Sequence, residues 1–132
     1  MASAERIWTV LAAVERWQEW TPTITRVEPL DPGPFNTGSR FRVVQPRLRP
    51  AVWTVTESEP SKGFTWESRT PGLCMSAEHV IRSRSGNESE VVLRMTFSGL
   101  LGTVVGRLYK NLTEKYLAQE AATLKRRIET RV

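Results

Sequence analysis

Residues 98–129, the last quarter of this 132-residue chain, contain no proline and read as one long helix. Six shorter segments precede it, and in each the apolar residues alternate with polar ones, which is the period of a strand half buried in a sheet. They fall at 24–30, 39–45, 51–58, 63–69, 74–84 and 88–98. The breaks between them carry turn chemistry: Asp31-Pro32-Gly33-Pro34, the stretch 46–50 with proline at both ends, Glu59-Pro60-Ser61-Lys62-Gly63, Pro71-Gly72, and Ser85-Gly86-Asn87. Connections this short join neighbouring strands antiparallel, so the segments form a meander.

Side chains alternate across a sheet, which sorts the strands into two faces. One face collects Phe41, Val43, Trp53, Val55, Phe64 and Trp66, continued by Met75, Ala77, His79, Ile81, Val91, Leu93, Met95 and Phe97. The other collects Arg40, Arg42, Thr54, Thr56, Thr65, Glu67, Glu78, Arg82, Arg94 and Thr96. An apolar sheet face must be covered, and the C-terminal helix is the only long element left to cover it. Two short helices open the chain. Ser3 is a suitable N-cap for a helix over 4–13, in which Ile7, Leu11 and Val14 recur at helical spacing. Trp17 and Trp20 share one face of a second helix that Pro22 stops. The expected architecture is a single α+β domain over residues 1–132: a curved antiparallel sheet of about six strands around one long helix.

The long helix has an internal conflict. At about 100° per residue, Leu101, Val104, Val105, Leu108, Leu112 and Tyr116 share one face of its first half, whereas Leu117, Ala121, Leu124 and Ile128 share a nearly opposite face of its second half. Extended backwards, the second stripe reaches Gly99, Gly102 and Gly106, which have no side chains to fill the space beneath them. This places a cavity under the first half of the helix. The first stripe then points outward, as a contact surface for a second copy or for lipid. The alternative is a bend near 111–115 that turns both stripes inward.

Formal net charge is +5, which keeps anionic partners in view. Arg40, Arg42, Arg82 and Arg94, with Arg47 and Arg49 on a turn, give a basic face without aromatic residues on which bases could stack, so a solvated face is expected and no nucleic-acid partner. The single cysteine, Cys74, excludes an internal disulfide, and the first residues lack the layout of a signal peptide, which makes a cytoplasmic location the default. One histidine and one cysteine at opposite parity do not make a metal site. The glycines after residue 98 lack phosphate-loop spacing, so no cofactor is expected.

His79 is the strongest catalytic candidate, placed on the inner face with Ser68 and Tyr109 as available polar contacts. A general base needs an orienting partner, and no carboxylate shares its strand face, so a buried hydrogen-bonded histidine is the simpler reading. Trp53 and Trp66, with Phe41, Phe64 and Phe97, suit either plain core or the wall of a pocket for a flat, greasy ligand.

Several stretches resemble one known family. They are Ala4-Glu5-Arg6-Ile7-Trp8 leading to Val10-Leu11, Val14-Glu15-Arg16-Trp17 with Trp20-Thr21-Pro22, Gly38-Ser39-Arg40-Phe41, Trp53-Thr54-Val55-Thr56-Glu57, Phe64-Thr65-Trp66 and Phe97-Ser98-Gly99. Together with the element order, they resemble the helix-grip fold of the START and pollen-allergen (SRPBCC) superfamily, in its polyketide cyclase/dehydrase-like branch. The resemblance implies a cavity between helix and sheet that holds a small hydrophobic ligand such as a lipid, isoprenoid or polyketide-like aromatic. The candidate ligand-binding residues are then Phe41, Val43, Trp53, Val55, Phe64 and Trp66; Ser68, Met75, His79, Met95 and Phe97; and Gly102, Gly106 and Tyr109. A binding protein is the leading expectation, with a cyclase or dehydratase using the same cavity, or an interaction module with a filled core, as alternatives. Members usually begin with a strand that this chain lacks, so either the true start lies upstream or another copy supplies the missing pairing.

Overall fold

The computed structural model of the protein describes residues 3–46, 48–85 and 88–130. Arg47 of the basic turn and the Gly86-Asn87 pair of the last hairpin lie outside these residues. In chain order come α1 (Ala4–Ala12), a 3-10 helix (Val14–Glu19), and strands β1 (Arg26–Pro29), β2 (Arg40–Val44), β3 (Ala51–Glu59), β4 (Gly63–Thr70), β5 (Leu73–Ser85) and β6 (Glu88–Ser98). Helices α2 (Gly102–Leu108) and α3 (Lys110–Thr130) close it. The strands pair only with their neighbours in sequence, each pair antiparallel, in the order β1-β2-β3-β4-β5-β6. This is the expected meander, and among the described residues no strand precedes α1.

The alternation expected from sequence is the alternation found. Phe41, Val43, Trp53, Val55, Phe64, Trp66, Ala77, His79 and Ile81 are buried on the inner face. On the outer face the arginines meet acids across strands: Arg42 with Glu28 at 3.0 Å, Arg94 with Glu78 at 3.5 Å and Arg84 with Glu90 at 2.9 Å. Arg40 reaches Asp31 at 2.9 Å and holds its carboxyl below the usual carboxylate range. The basic face is thus interleaved with its own counter-charges.

At the N-terminal end Ser3 caps α1 by accepting from the Arg6 amide. Ile7 and Leu11 of α1, with Val14 and Trp17 of the 3-10 helix, pack into the core that Leu124 and Ile128 of α3 complete. The Arg6 guanidinium donates to the Ile128 carbonyl at 2.9 Å, supplying a partner to an otherwise orphaned carbonyl near the end of α3. Arg127 pairs with Glu19 at 3.0 Å. The last turns of α3 are therefore fastened to both N-terminal helices.

The expected single helix from residue 98 is two. Ser98 still belongs to β6, and Gly99 takes φ +92°, where an added Cβ would come within 2.7 Å of the Gly72 carbonyl oxygen. That tight turn lets the Leu101 amide donate to the same carbonyl at 2.7 Å, seating α2 over the β4–β5 turn. A bend follows at Tyr109 (φ −103°, ψ 12°). Hydrogen bonds from Tyr109 to Val105 and from Thr113 to Tyr109 carry through it, so the axis bends without the chain leaving the helix.

The bend falls just before 111–115 and resolves the conflict of stripes by dividing the first one. Leu101, Val104 and Leu108 remain exposed. Val105 and Leu112 line the space beneath the helices, against the expectation that they face out; Val105 neighbours Gly102 and Gly106 on the side of α2 that lies against Phe97. Ala121, expected to be gripped, is exposed.

Candidate functional site

Cross-strand pairing builds one wall of the site. Trp66 lies opposite Val55 and Ala77, Ser68 opposite Met75, and Met75 and Ala77 opposite Phe97 and Met95. The short helices cover only one part of this wall, and there the aromatic rings meet one another. Phe35 packs on Phe41 and Phe64, with centroids 6.0 and 5.0 Å away, and Trp8 edges onto Phe64. Where the short helices end, α2 and α3 span the sheet without filling the space beneath. A cavity of ≈ 720 Å³ results, within the range of small-molecule sites.

Of the residues expected to line such a cavity, Val43, Trp53, Trp66, Ser68, Met75, His79, Met95, Phe97 and Tyr109 do so. Phe41, Val55 and Phe64 do not form its wall; they are spent in the packed core. Gly102 and Gly106 do not open onto it either, since both lie against Phe97. Their lack of side chains serves close approach of α2 to β6 and not an empty volume.

His79 is 4% exposed, and its ring stacks on Phe64 with centroids 4.2 Å apart and planes 14° from parallel. Trp17 and Trp66 flank it at 5.4 and 5.9 Å. Its Nδ1 lies 3.3 Å from the Phe64 carbonyl oxygen. Neither Ser68 nor Tyr109 is that partner. A carbonyl only accepts, so Nδ1 carries the proton and Nε2 is left as an acceptor. Burial among rings disfavours the imidazolium and lowers the pKa to about 4, which the carbonyl contact only partly offsets. His79 is neutral at pH 7.

Sequence reasoning missed Glu120. It projects from α3 into the same cavity, and Thr23 Oγ1 donates to its Oε1 at 3.0 Å. Thr21 Oγ1 sits 2.9 Å from Thr23 Oγ1 and accepts from the Thr23 amide at 3.3 Å. Because the one hydroxyl proton of Thr23 goes to Glu120, the Thr21 hydroxyl donates to Thr23. The residue is half-buried, and desolvation raises its pKa to about 7 against the opposing Thr23 bond. The signal was present as a carboxylate in the helical row Thr113, Tyr116, Leu117, Glu120 and Leu124. Glu120 is three residues from Leu117 and four from Leu124, so it shares the face that those two already assign to the sheet.

Among the described residues no three His, Cys, Asp or Glu side chains gather as a metal site, and no helix is long and apolar enough to cross a membrane.

Structural comparison places these features on a shared fold. The di-domain aromatase/cyclase BexL from the BE-7585A biosynthetic pathway superposes with a TM-score of 0.70 at 18% identity. The match covers 94% of this chain and 43% of that one, so this chain spans less than half of the di-domain protein. TTHA0849 from Thermus thermophilus gives 0.72 at 16% identity, over 96% of this chain and 90% of that one. The Zhui aromatase/cyclase from Streptomyces sp. R1128 gives 0.69 at 18%, over 96% and 89%. No curated protein matches the chain in sequence. Residues 1–129 match the sequence pattern of the family described as polyketide cyclase / dehydrase and lipid transport, and the chain belongs to that family.

Proposed function

We propose that the protein binds a small hydrophobic molecule, such as a lipid, isoprenoid or polyketide-like aromatic, in the cavity beneath α2 and α3. The observation that carries this reading is the ≈ 720 Å³ volume whose sheet-side wall is built by Trp53, Trp66, Met75, Met95 and Phe97. Apolar burial at about 25 cal/mol per Å² supplies the affinity, and flat aromatic walls favour flat ligands. Native mass spectrometry of the protein as purified tests occupancy directly. Titration of a fluorescent hydrophobic probe tests the place, since Trp66→Ala should weaken binding about tenfold. Unchanged affinity in that variant, with the fold retained, would move the site elsewhere.

One observation favours a second reading, a cyclase or dehydratase. His79 as an acceptor and Glu120 as a carboxyl group with a pKa near neutrality line one cavity, and a pair with separated pKa values can act as base and acid. Incubation with a poly-β-ketone thioester, followed by mass analysis for loss of water, distinguishes the readings. Turnover abolished by Glu120→Gln would establish the enzyme; retention of the ketone unchanged would favour binding alone.

The outer face of α2 fits a lipid surface. Leu100, Val104 and Leu108 are 94%, 64% and 74% exposed, and residues 98–113 contain Arg107 and Lys110 but no acid. A symmetric pair of copies meeting through this face would set cation against cation. An anionic bilayer accommodates protruding aliphatic side chains and pairs with the charges. Co-flotation with phosphatidylserine vesicles, lost in Leu108→Ser, is the expected result; a dimer in solution that Leu108→Ser dissociates would assign the face to a second copy.

A further inference from the structure

The polar groups at the end of the cavity beside Ile24 share a chemical bias. Gln45 Nε2 donates to the Thr23 carbonyl at 3.2 Å, the Tyr116 hydroxyl donates to the Pro46 carbonyl, and the Thr23 hydroxyl donates to Glu120. Each of these three donors is directed into the protein's own framework. What they leave for a ligand at this end is the Glu120 carboxyl and the Gln45 side-chain oxygen, with His79 Nε2 and the Ser68 hydroxyl farther along the sheet wall. An acceptor buried without a partner costs free energy, so a ligand that brings a donor here gains twice, by its own bond and by satisfying the site.

From this geometry we propose that Glu120 is the polar anchor of the cavity, and that it selects ligands carrying an uncharged hydroxyl group, phenolic, enolic or alcoholic, at one end of an apolar body. The Thr21–Thr23 hydroxyl chain makes the selection directional. It donates a hydrogen bond to Oε1, fixing the carboxyl plane and leaving the rest of the group to the ligand. A hydroxyl is favoured over an ammonium because the surrounding wall is apolar and would have to desolvate a full charge, and because Arg49 and Arg69 line the cavity as well. A ligand carboxylate turned toward Glu120 would compete for its one proton and meet the ionised form as acceptor against acceptor, so it gains less at this anchor than a hydroxyl does. The inference rests on the hydrophobic-ligand reading above and narrows it to a ligand class.

The test compares naphthalene, naphthol, naphthoate and naphthylmethylamine by displacement of a fluorescent hydrophobic probe. Naphthol should bind about tenfold more tightly than naphthalene, and more tightly than naphthoate. Glu120→Leu should equalise naphthol and naphthalene. Glu120→Gln is the sharper variant, because Thr23 still donates to the amide oxygen and turns the amide nitrogen toward the ligand. The cavity then offers a donor, so naphthol should keep only the weaker bond that its oxygen accepts, and naphthoate should gain on it. Thr23→Val, which frees the group to rotate, should reduce discrimination without abolishing naphthalene binding.

Equal binding of naphthol and naphthalene to the wild-type protein would overturn the anchor while leaving the apolar cavity standing. Tighter binding of the amine than of naphthol would overturn the hydroxyl class. Failure of all four compounds to displace the probe would remove the ligand reading itself, and this inference with it.

Discussion

Leu124 and Ile128, near the end of α3, are 2% and 6% exposed, whereas Val104 and Leu108 of α2, a few turns earlier in the same helical segment, project into solvent. The contrast extends to the backbone and the charges. The end of α3 receives a guanidinium on the Ile128 carbonyl and an ion pair from Arg127 to Glu19. α2 is held at its start by one amide bond to Gly72 and contains two glycines in seven residues. The difference shows how one segment serves two purposes. Its far end is part of the core, while its near end lies close on β6 through Gly102 and Gly106, roofs a cavity and leaves its aliphatic outer face to solvent.

The largest effect that would sharpen this comparison is on the core side. Leu124→Ala should destabilise the protein by about 2–5 kcal/mol, while Leu108→Ala should change stability by less than about 0.5 kcal/mol, both read from denaturant midpoints. Similar costs at the two sites would erase the distinction between anchor and roof.

Next in size is a pair of opposed pH dependences. Glu120 is raised from 4.5 to about 7 on folding, so its contribution to stability is full below pH 4.5 and is lost as pH rises toward 7. His79 is lowered from 6.5 to about 4, so its contribution is full above pH 6.5 and is lost as pH falls toward 4. Between these limits the two slopes cancel and the wild-type protein should show a nearly flat profile. Glu120→Gln should uncover a rise in stability with pH, and His79→Phe a fall, each on the order of 2–3 kcal/mol across the window. Urea midpoints at a series of pH values measure both, and flat profiles in the variants would show that neither group is desolvated as described.

A smaller change tests the fastening of α3. Arg6→Met keeps the aliphatic stem but removes the donor to Ile128, and should cost about 1–2 kcal/mol with faster amide exchange confined to the last turns of α3. The smallest is Gly106→Ala. A Cβ there meets Phe97 at 3.5 Å, an ordinary contact, and the helix gains about 0.5–1 kcal/mol. A stiffer α2 should slow probe association more than it changes affinity.

Most of the fold was legible because it follows from local rules. Alternation gave every strand to within two residues at each end, and the paired turns gave the meander. The cavity wall on β3 to β6 followed from parity alone. The division of the helical segment was not legible, because it occurs at Tyr109, to which no proline points. On either side of it Val105 and Leu112 face the cavity, and Glu120 borders the space that His79 also borders. The division of the aromatic residues was equally hidden. Phe64 and Trp66 are two residues apart on one face, yet Phe64 is buried beneath Trp8 and Phe35 while Trp66 reaches the cavity. Which of them a short helix covers is set by tertiary packing, not by period.

The most direct measurement is titration of a fluorescent hydrophobic probe into the wild-type protein and into Met95→Trp, which fills the cavity from the sheet side. One saturable site in the wild type and at least about a tenfold loss of affinity in the variant, with an unfolding midpoint within about 1 kcal/mol of the wild type, is the expected result. Equal affinity in the two proteins would mean that the space beneath α2 and α3 is not where the ligand goes.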